Sequence, residues 1–201
     1  MRSGRKIRRD IGLLMVALIG FAALPASAQA QAGGTSEEWI DKLAHLETAP
    51  ELDLAGLRQQ ALERVKSKAD AVPNKRPHVA PQLLKLPQFA AEIQFDEDAA
   101  VVRPEAYRAL GRIADTLYHP SLLGYKFLIV GHTASGGRRD HNLTLSQRRA
   151  DAIRDALINT FKVSSKRLQA IGLGEEQLLD RARPAAPINA QFHVMTVGKM
   201  L

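Results

Sequence analysis

The chain has 201 residues, 45% hydrophobic and 24% charged. That suits one domain with appendages, or two small domains, and excludes wholesale disorder. It has no cysteine, which excludes disulfides, Cys-ligated zinc, a thiol nucleophile and a lipid-modified N-terminal Cys. The formal net charge is +7, and part of it is concentrated at the N-terminus. No apolar run reaches the roughly 18 residues of a spanning helix, so an integral helical membrane protein is not expected.

Met1–Asp10 carries Arg2, Arg5, Lys6, Arg8 and Arg9 against Asp10. Ile11–Leu24 is apolar, and Pro25 and Ala26-Ser27-Ala28 follow. This order of basic, apolar and small residues predicts a signal peptide over residues 1–28, with Ala30 or Ala32 as alternative cleavage points. Its removal leaves 23 Lys+Arg against 20 Asp+Glu, a net +3. That charge is too weak to argue for nucleic acid as a partner. Without a lipid anchor, the exported protein is expected in the periplasm.

Residues 29–72 read as a helical N-terminal extension. Gln29–Gly34 is small and polar, and disorder is expected there. Thr35 or Ser36 can cap a helix with Glu37 and Glu38 in its first turn. Trp39, Leu43 and Leu46 share its face, and Pro50 ends it. A second helix is expected from Asp53 to about Ala71, with Leu54, Leu57, Ala61 and Val65 on one face. Neither stripe is wide. The pair is expected to pack marginally on its own domain; a helical hairpin, or docking to an envelope protein, is the alternative.

Pro73, Pro77, Pro81 and Pro87 make residues 73–88 an expected extended connector and set a domain boundary there. Beyond it, Phe89–Phe95 reads as a strand and Asp96–Asp98 as a solvated turn. Pro104 opens a helix carrying Ala106, Leu110, Ile113 and Leu117. Tyr125–Val130 is a central strand, Gly131–His141 a loop with three glycines, and Leu143–Phe161 a long helix. Arg167–Leu173 and Gln191–Val197 read as the last strands. The order β-α-β-α-β-β gives an α/β (α+β) sandwich, with helices covering one face of a mixed sheet.

The loop Gly131-His132-Thr133-Ala134-Ser135-Gly136 leaves the central strand and feeds a helix N-terminus, a natural ligand site. Asn142 can orient that loop or cap the helix, and Ser146 can bond within the first turn. Arg149 lies near Leu145 and Ile153, so its fork points toward the core edge. Spacing alone leaves two roles for it: a ligand carboxylate, or a core-edge acid or backbone carbonyls. His132 is expected to be a hydrogen-bonded structural histidine. No His, Asp or Glu set has metal-ligand spacing, Ser146 lacks a nucleophile-elbow context, and no phosphate-binding loop is present. No catalytic residue, metal or cofactor is expected.

These residues resemble the OmpA-like domain, a peptidoglycan-binding module of cell-envelope proteins. Gly131-His132-Thr133 matches its G-H-T-D loop, and Asn142, Leu145, Ser146, Arg149 and Ala150 match its N-x-x-L-S-x-x-R-A helix without insertion. Arg167-Leu168 and Gly172-Leu173-Gly174-Glu175 resemble R-L-x-x-x-G-x-G-E, and Phe95-Asp96 with Pro104-Glu105-Ala106 resembles F-D…P-E-A. The resemblance places an OmpA-like domain at residues 89–201. It implies that the loop Asp and the helix Arg grip diaminopimelate in the wall's peptide stem. The Arg is Arg149, whereas Ala134 stands at the Asp position. The family's closing N-R-R-V appears as Asn189-Ala190-Gln191-Phe192, so both arginines are replaced.

The site implied by the resemblance comprises Thr133, Ala134, Asn142, Leu145 and Arg149, with Asp140 and Asn189 as secondary candidates. Two functions follow. One is a non-catalytic periplasmic protein that binds peptidoglycan weakly. The other is a degenerate scaffold that keeps the fold and mediates protein–protein interaction in the envelope.

Overall fold

A computed structural model describes residues 34–67 and 72–200. The expected signal peptide, residues 29–33 of the expected disordered segment and the tail of the second helix toward Ala71 lie outside the described residues. Among the described residues, four α-helices and four strands make up the fold: α1 (Ser36–Ala44), α2 (Leu54–Lys66), β1 (Gln88–Ala91), α3 (Tyr107–Leu117), β2 (Tyr125–His132), α4 (Arg139–Asn159), β3 (Leu168–Gly174) and β4 (Phe192–Lys199). The sheet order is β1-β4-β2-β3. β4 runs antiparallel to both β1 and β2, and β2 runs parallel to β3. The sheet is therefore mixed, as expected, and α4 makes the crossover that parallel strands require.

Side chains alternate across the strands, so each sheet face builds its own core. On the first face Phe127, Ile129, Phe89 and Val194 meet Leu110 and Ile113 of α3 and Ile153 and Leu157 of α4. The α1 helix joins this face. A capping box sets its start: Glu38 N–H donates to Thr35 Oγ1 (3.2 Å), and Thr35 N–H donates to the Glu38 carboxylate (3.0 Å). Trp39 then stacks on Phe89, with centroids 4.3 Å apart. The helix stops at Ala44, ahead of Pro50.

The second face is covered by the segment expected to be an appendage and a linker. Leu57 and Ala61 of α2, with Val79, Ala80 and Leu83, pack on Leu128, Val130, Ile171, Leu173 and Met195. α1 and α2 thus form no hairpin; they serve opposite faces. Residues 73–87 are not an extended connector. Pro73 and Pro81 each open a 3-10 turn, a position where a missing N–H is harmless. The hydrophobic residues between the prolines are then free to bury, and the described residues form one compact unit.

Close approach fixes α4 on β3. A Cβ on Gly172 would lie 2.1 Å from the Gln147 backbone nitrogen. Gly172→Ala is expected to lower stability by about 3 kcal/mol, since neither backbone can yield cheaply. Gly198→Ala, where a Cβ meets nothing within 4 Å, should stay within about 0.5 kcal/mol. Urea denaturation of both variants checks the contrast.

Candidate functional site

β2 runs on to His132, two residues past the expected strand end, and α4 begins at Arg139, so the loop between them is short. Its backbone is tied at three points. Thr133 N–H donates to Gly174 O (3.0 Å) and Ser135 N–H to Pro184 O (2.9 Å). Asn142 Nδ2 donates to Gly136 O (2.7 Å). Asn142 therefore orients the loop from within the first turn of α4, the first of its two expected roles, and does not cap the helix.

The same Asn142 amide donates to Glu175 Oε2 (2.8 Å), and both residues are buried. Ser146 bonds across the helix–strand interface as well as within its own turn. Its Oγ accepts from Gly174 N–H (2.8 Å) and donates to Leu143 O (2.9 Å). Gln147 Oε1 accepts from Gly172 N–H (2.7 Å). These contacts pin the end of β3 and the turn after it to the start of α4, which is where the loop sits.

Arg149 lies seven residues beyond Asn142, about 10 Å along the helix axis. Its Nε donates to Ala99 O (2.8 Å) and its Nη2 to Asp96 O (3.2 Å). The guanidinium stands 5.1 Å from the Phe95 ring centroid, and Phe95 packs on Phe192 at 5.5 Å. Burial lowers the Arg149 pKa, opposed by the charge of Asp98. The carbonyl-bonded role is thus occupied. Two bonds use only part of a five-donor fork, so donors remain for a carboxylate.

Residues 94–103 form a hairpin closed by the Phe95–Val102 bridge, with Asp98 at φ 54°. The expected solvated turn is clasped to α4 at two points, by Arg149 and by His141, whose Nε2 lies 2.5 Å from Asp98 Oδ1. Nothing in the acidic run Asp96–Asp98 signals this contact in the sequence.

The remaining candidates separate. Thr133 is buried and its Oγ1 has no hydrogen-bond partner. Ala134 and Leu145 are half-buried. Asp140 is exposed and engaged by Arg138 (3.1 Å from Nε), whose hydrogen bond lowers the Asp140 pKa. It also accepts from His141 N–H (2.8 Å). Asn189 is fully buried; its Nδ2 donates to the carbonyls of Asp180, Arg183 and Pro184. It acts on the loop only through Pro184, which receives Ser135. Ala190 is exposed and Gln191 half-buried.

His132 differs from expectation. Both of its ring nitrogens are buried without a hydrogen-bond partner, and its ring meets His193 edge-on at 5.4 Å. Burial, then the neighbouring His193 and His78, push its pKa from 6.5 to about 3. Burial pushes His193 to about 4, although Gln88 Oε1 lies 2.7 Å from its Nδ1. Both imidazoles are neutral in the fold and accept a proton more readily once unfolded. Their contribution is therefore fully present above pH 6.5. As pH falls below that value, each should remove about 1.4 kcal/mol of stability per pH unit until its folded pKa is reached. Urea denaturation between pH 7.5 and 4.5 should show this loss, and His132→Phe should flatten the curve.

Among the described residues no group of three or more His, Asp or Glu is placed to hold a metal ion. No described helix is long and apolar enough to cross a membrane.

Residues 94–190 match the OmpA family. The chain is 33% identical over 98 residues to outer membrane porin F of Pseudomonas aeruginosa, covering 48% of this chain and 27% of that one. It is 38% identical over 85 residues to the peptidoglycan-associated lipoprotein of Mesorhizobium japonicum, covering 42% of this chain and 49% of that one. The chain thus spans between about a quarter and a half of these relatives' lengths. The crystal structure of the peptidoglycan-associated lipoprotein from Burkholderia pseudomallei aligns at 30% identity and TM-score 0.42, covering 52% of this chain and 87% of that one.

Proposed function

Since the chain carries an OmpA family domain at residues 94–190, we propose that it is a non-catalytic cell-envelope protein that binds peptidoglycan from the periplasm. The target is the diaminopimelate-containing peptide stem, and binding is weak. Relatives named for peptidoglycan association support the reading. The observation that carries it is Arg149: a half-buried guanidinium, fixed by two carbonyls and an aromatic face, with donors left over. A fork held in place loses little freedom on meeting a carboxylate.

The ammonium of the ligand lacks its expected partner, because Ala134 offers a methyl group. Asp140 does not replace it, being bound to Arg138. The acid that acts on Arg149 is Asp98, held at the hairpin tip by His141. It is the candidate for a partial substitute.

The scaffold reading stays as the second. Ala134, Ala190 and Gln191 favour it, since three charged groups of the family pattern are absent together. Calorimetric titration with a diaminopimelate stem peptide, and with its lysine counterpart, separates the two. Peptidoglycan binding predicts weak heat with diaminopimelate, less with lysine and none after Arg149→Ala. The scaffold predicts none with either peptide.

A further inference from the structure

We propose that Arg76, outside the matched family segment, is a positioning residue for the ligand loop and links the N-terminal segment to the wall-binding site. Arg76 is only 4% exposed, although it sits in the proline-spaced run where a solvated cation would be the ordinary expectation. Its Nη1 reaches Glu175 Oε1 at 2.7 Å and Glu176 Oε1 at 3.4 Å. Both carboxylates are buried, at 3% and 2% exposure.

Each carboxylate leads to one end of the loop. Glu175 accepts from Asn142, and Asn142 holds Gly136 O. Glu176 accepts two bonds from Arg139, the first residue of α4, at 3.0 and 2.7 Å. Arg76 therefore closes a bracket around residues 136–139. Without it, Arg139 would be the cation left on Glu176, and Glu175 would keep only the neutral Asn142 amide among these contacts. A buried charge deprived of its partner rearranges or draws in water, and the loop would follow.

The backbone around Arg76 docks on the same turn. Val79 N–H donates to Glu176 O, and Ala80 exchanges hydrogen bonds with the Gln177 amide at 2.8 and 2.9 Å. His78 Nε2 donates to Leu178 O at 2.9 Å. The docked segment and the ordered loop thus share one polar network, so ordering either favours the other. Whatever grips the docked segment would change wall affinity, and wall binding would tighten the segment.

The affinity arm of the test rests on the peptidoglycan-binding reading; the exchange arm does not. The protein from Gly34 onward is compared with R76K, R76M and R76M/E175Q, the double variant removing the unpaired-charge penalty that threatens the fold of the single one. Amide hydrogen exchange without ligand should rise about tenfold or more at residues 133–139 in R76M and R76M/E175Q, and stay near wild type in β2 and β3. R76K should restore most of the protection. Binding to purified sacculi should weaken about tenfold in R76M/E175Q and recover in R76K. Wild-type exchange at the loop in the folded double variant would overturn the proposal. So would a rise spread evenly over the whole domain, which marks a merely structural role. If wild type fails to bind sacculi while loop exchange rises as stated, the function reading falls and the positioning role stands.

Discussion

Replacing Ala134 with aspartate should tighten binding to a diaminopimelate stem peptide by about tenfold to a hundredfold. That is the range of one added charge-assisted hydrogen bond, roughly 1.5–3 kcal/mol. The loop around Ala134 is already ordered. Thr133, Ser135 and Gly136 are tied by hydrogen bonds to Gly174, Pro184 and Asn142, so a new carboxylate would be added to an ordered loop. Arg149→Ala should remove wild-type binding and also cancel the gain in the double variant, because on the proposed reading both groups would hold one ligand. Arg149→Ala also releases the 96–99 hairpin, so Arg149→Lys serves as companion; it keeps the charge and loses the fork. Asp140→Asn should leave affinity unchanged, its carboxylate being committed to Arg138. No change on Ala134→Asp, with the fold intact, would place the defect at Ala190 and Gln191 and favour the scaffold.

Deleting residues 34–87 should abolish cooperative folding. Trp39, Leu43, Leu57, Val79 and Leu83 are buried, and a large apolar side chain contributes about 1.5–3 kcal/mol on full burial. Even discounted for a compact unfolded chain, their sum rivals the whole stability of a domain, about 5–15 kcal/mol. Their removal also bares Leu128, Val130 and Met195 on one sheet face. A fragment of residues 88–201 should therefore lack a sharp urea transition, whereas residues 34–201 should keep one. Limited proteolysis should leave a fragment beginning near Gly34. A stable fragment beginning at residues 80–90 would show that the N-terminal segment is dispensable.

The sequence is legible where local pattern and tertiary role agree. α1 starts at a cap that Thr35 and Glu38 spell out, and α3 and the central strand β2 follow their apolar pattern, whereas β1 stops at Ala91, short of the expected Phe95, and α4 buries the polar Asn142, Ser146 and Gln147 on its inner face. The proline run misleads because proline restricts the backbone without saying where neighbouring side chains go. Val79, Ala80 and Leu83 reveal their burial only when the uncovered sheet face is known. Within the site, Asn142, Ser146 and Arg149 are marked by the helix motif, and Glu175 stands in the quoted G-x-G-E segment without its role being evident. Arg76 carries no local signal, since its partners lie about a hundred residues away. Asp98 and His141 meet only through the fold, as do His132 and His193.

Co-sedimentation with purified sacculi, comparing the wild-type protein from Gly34 with Arg149→Ala and Ala134→Asp, decides whether this domain holds peptidoglycan through Arg149. Weak peptidoglycan binding through Arg149 predicts a minor wild-type fraction in the pellet, none for Arg149→Ala and a clearly larger fraction for Ala134→Asp. Equal fractions for all three folded proteins, or tight wild-type binding that survives Arg149→Ala, would contradict it.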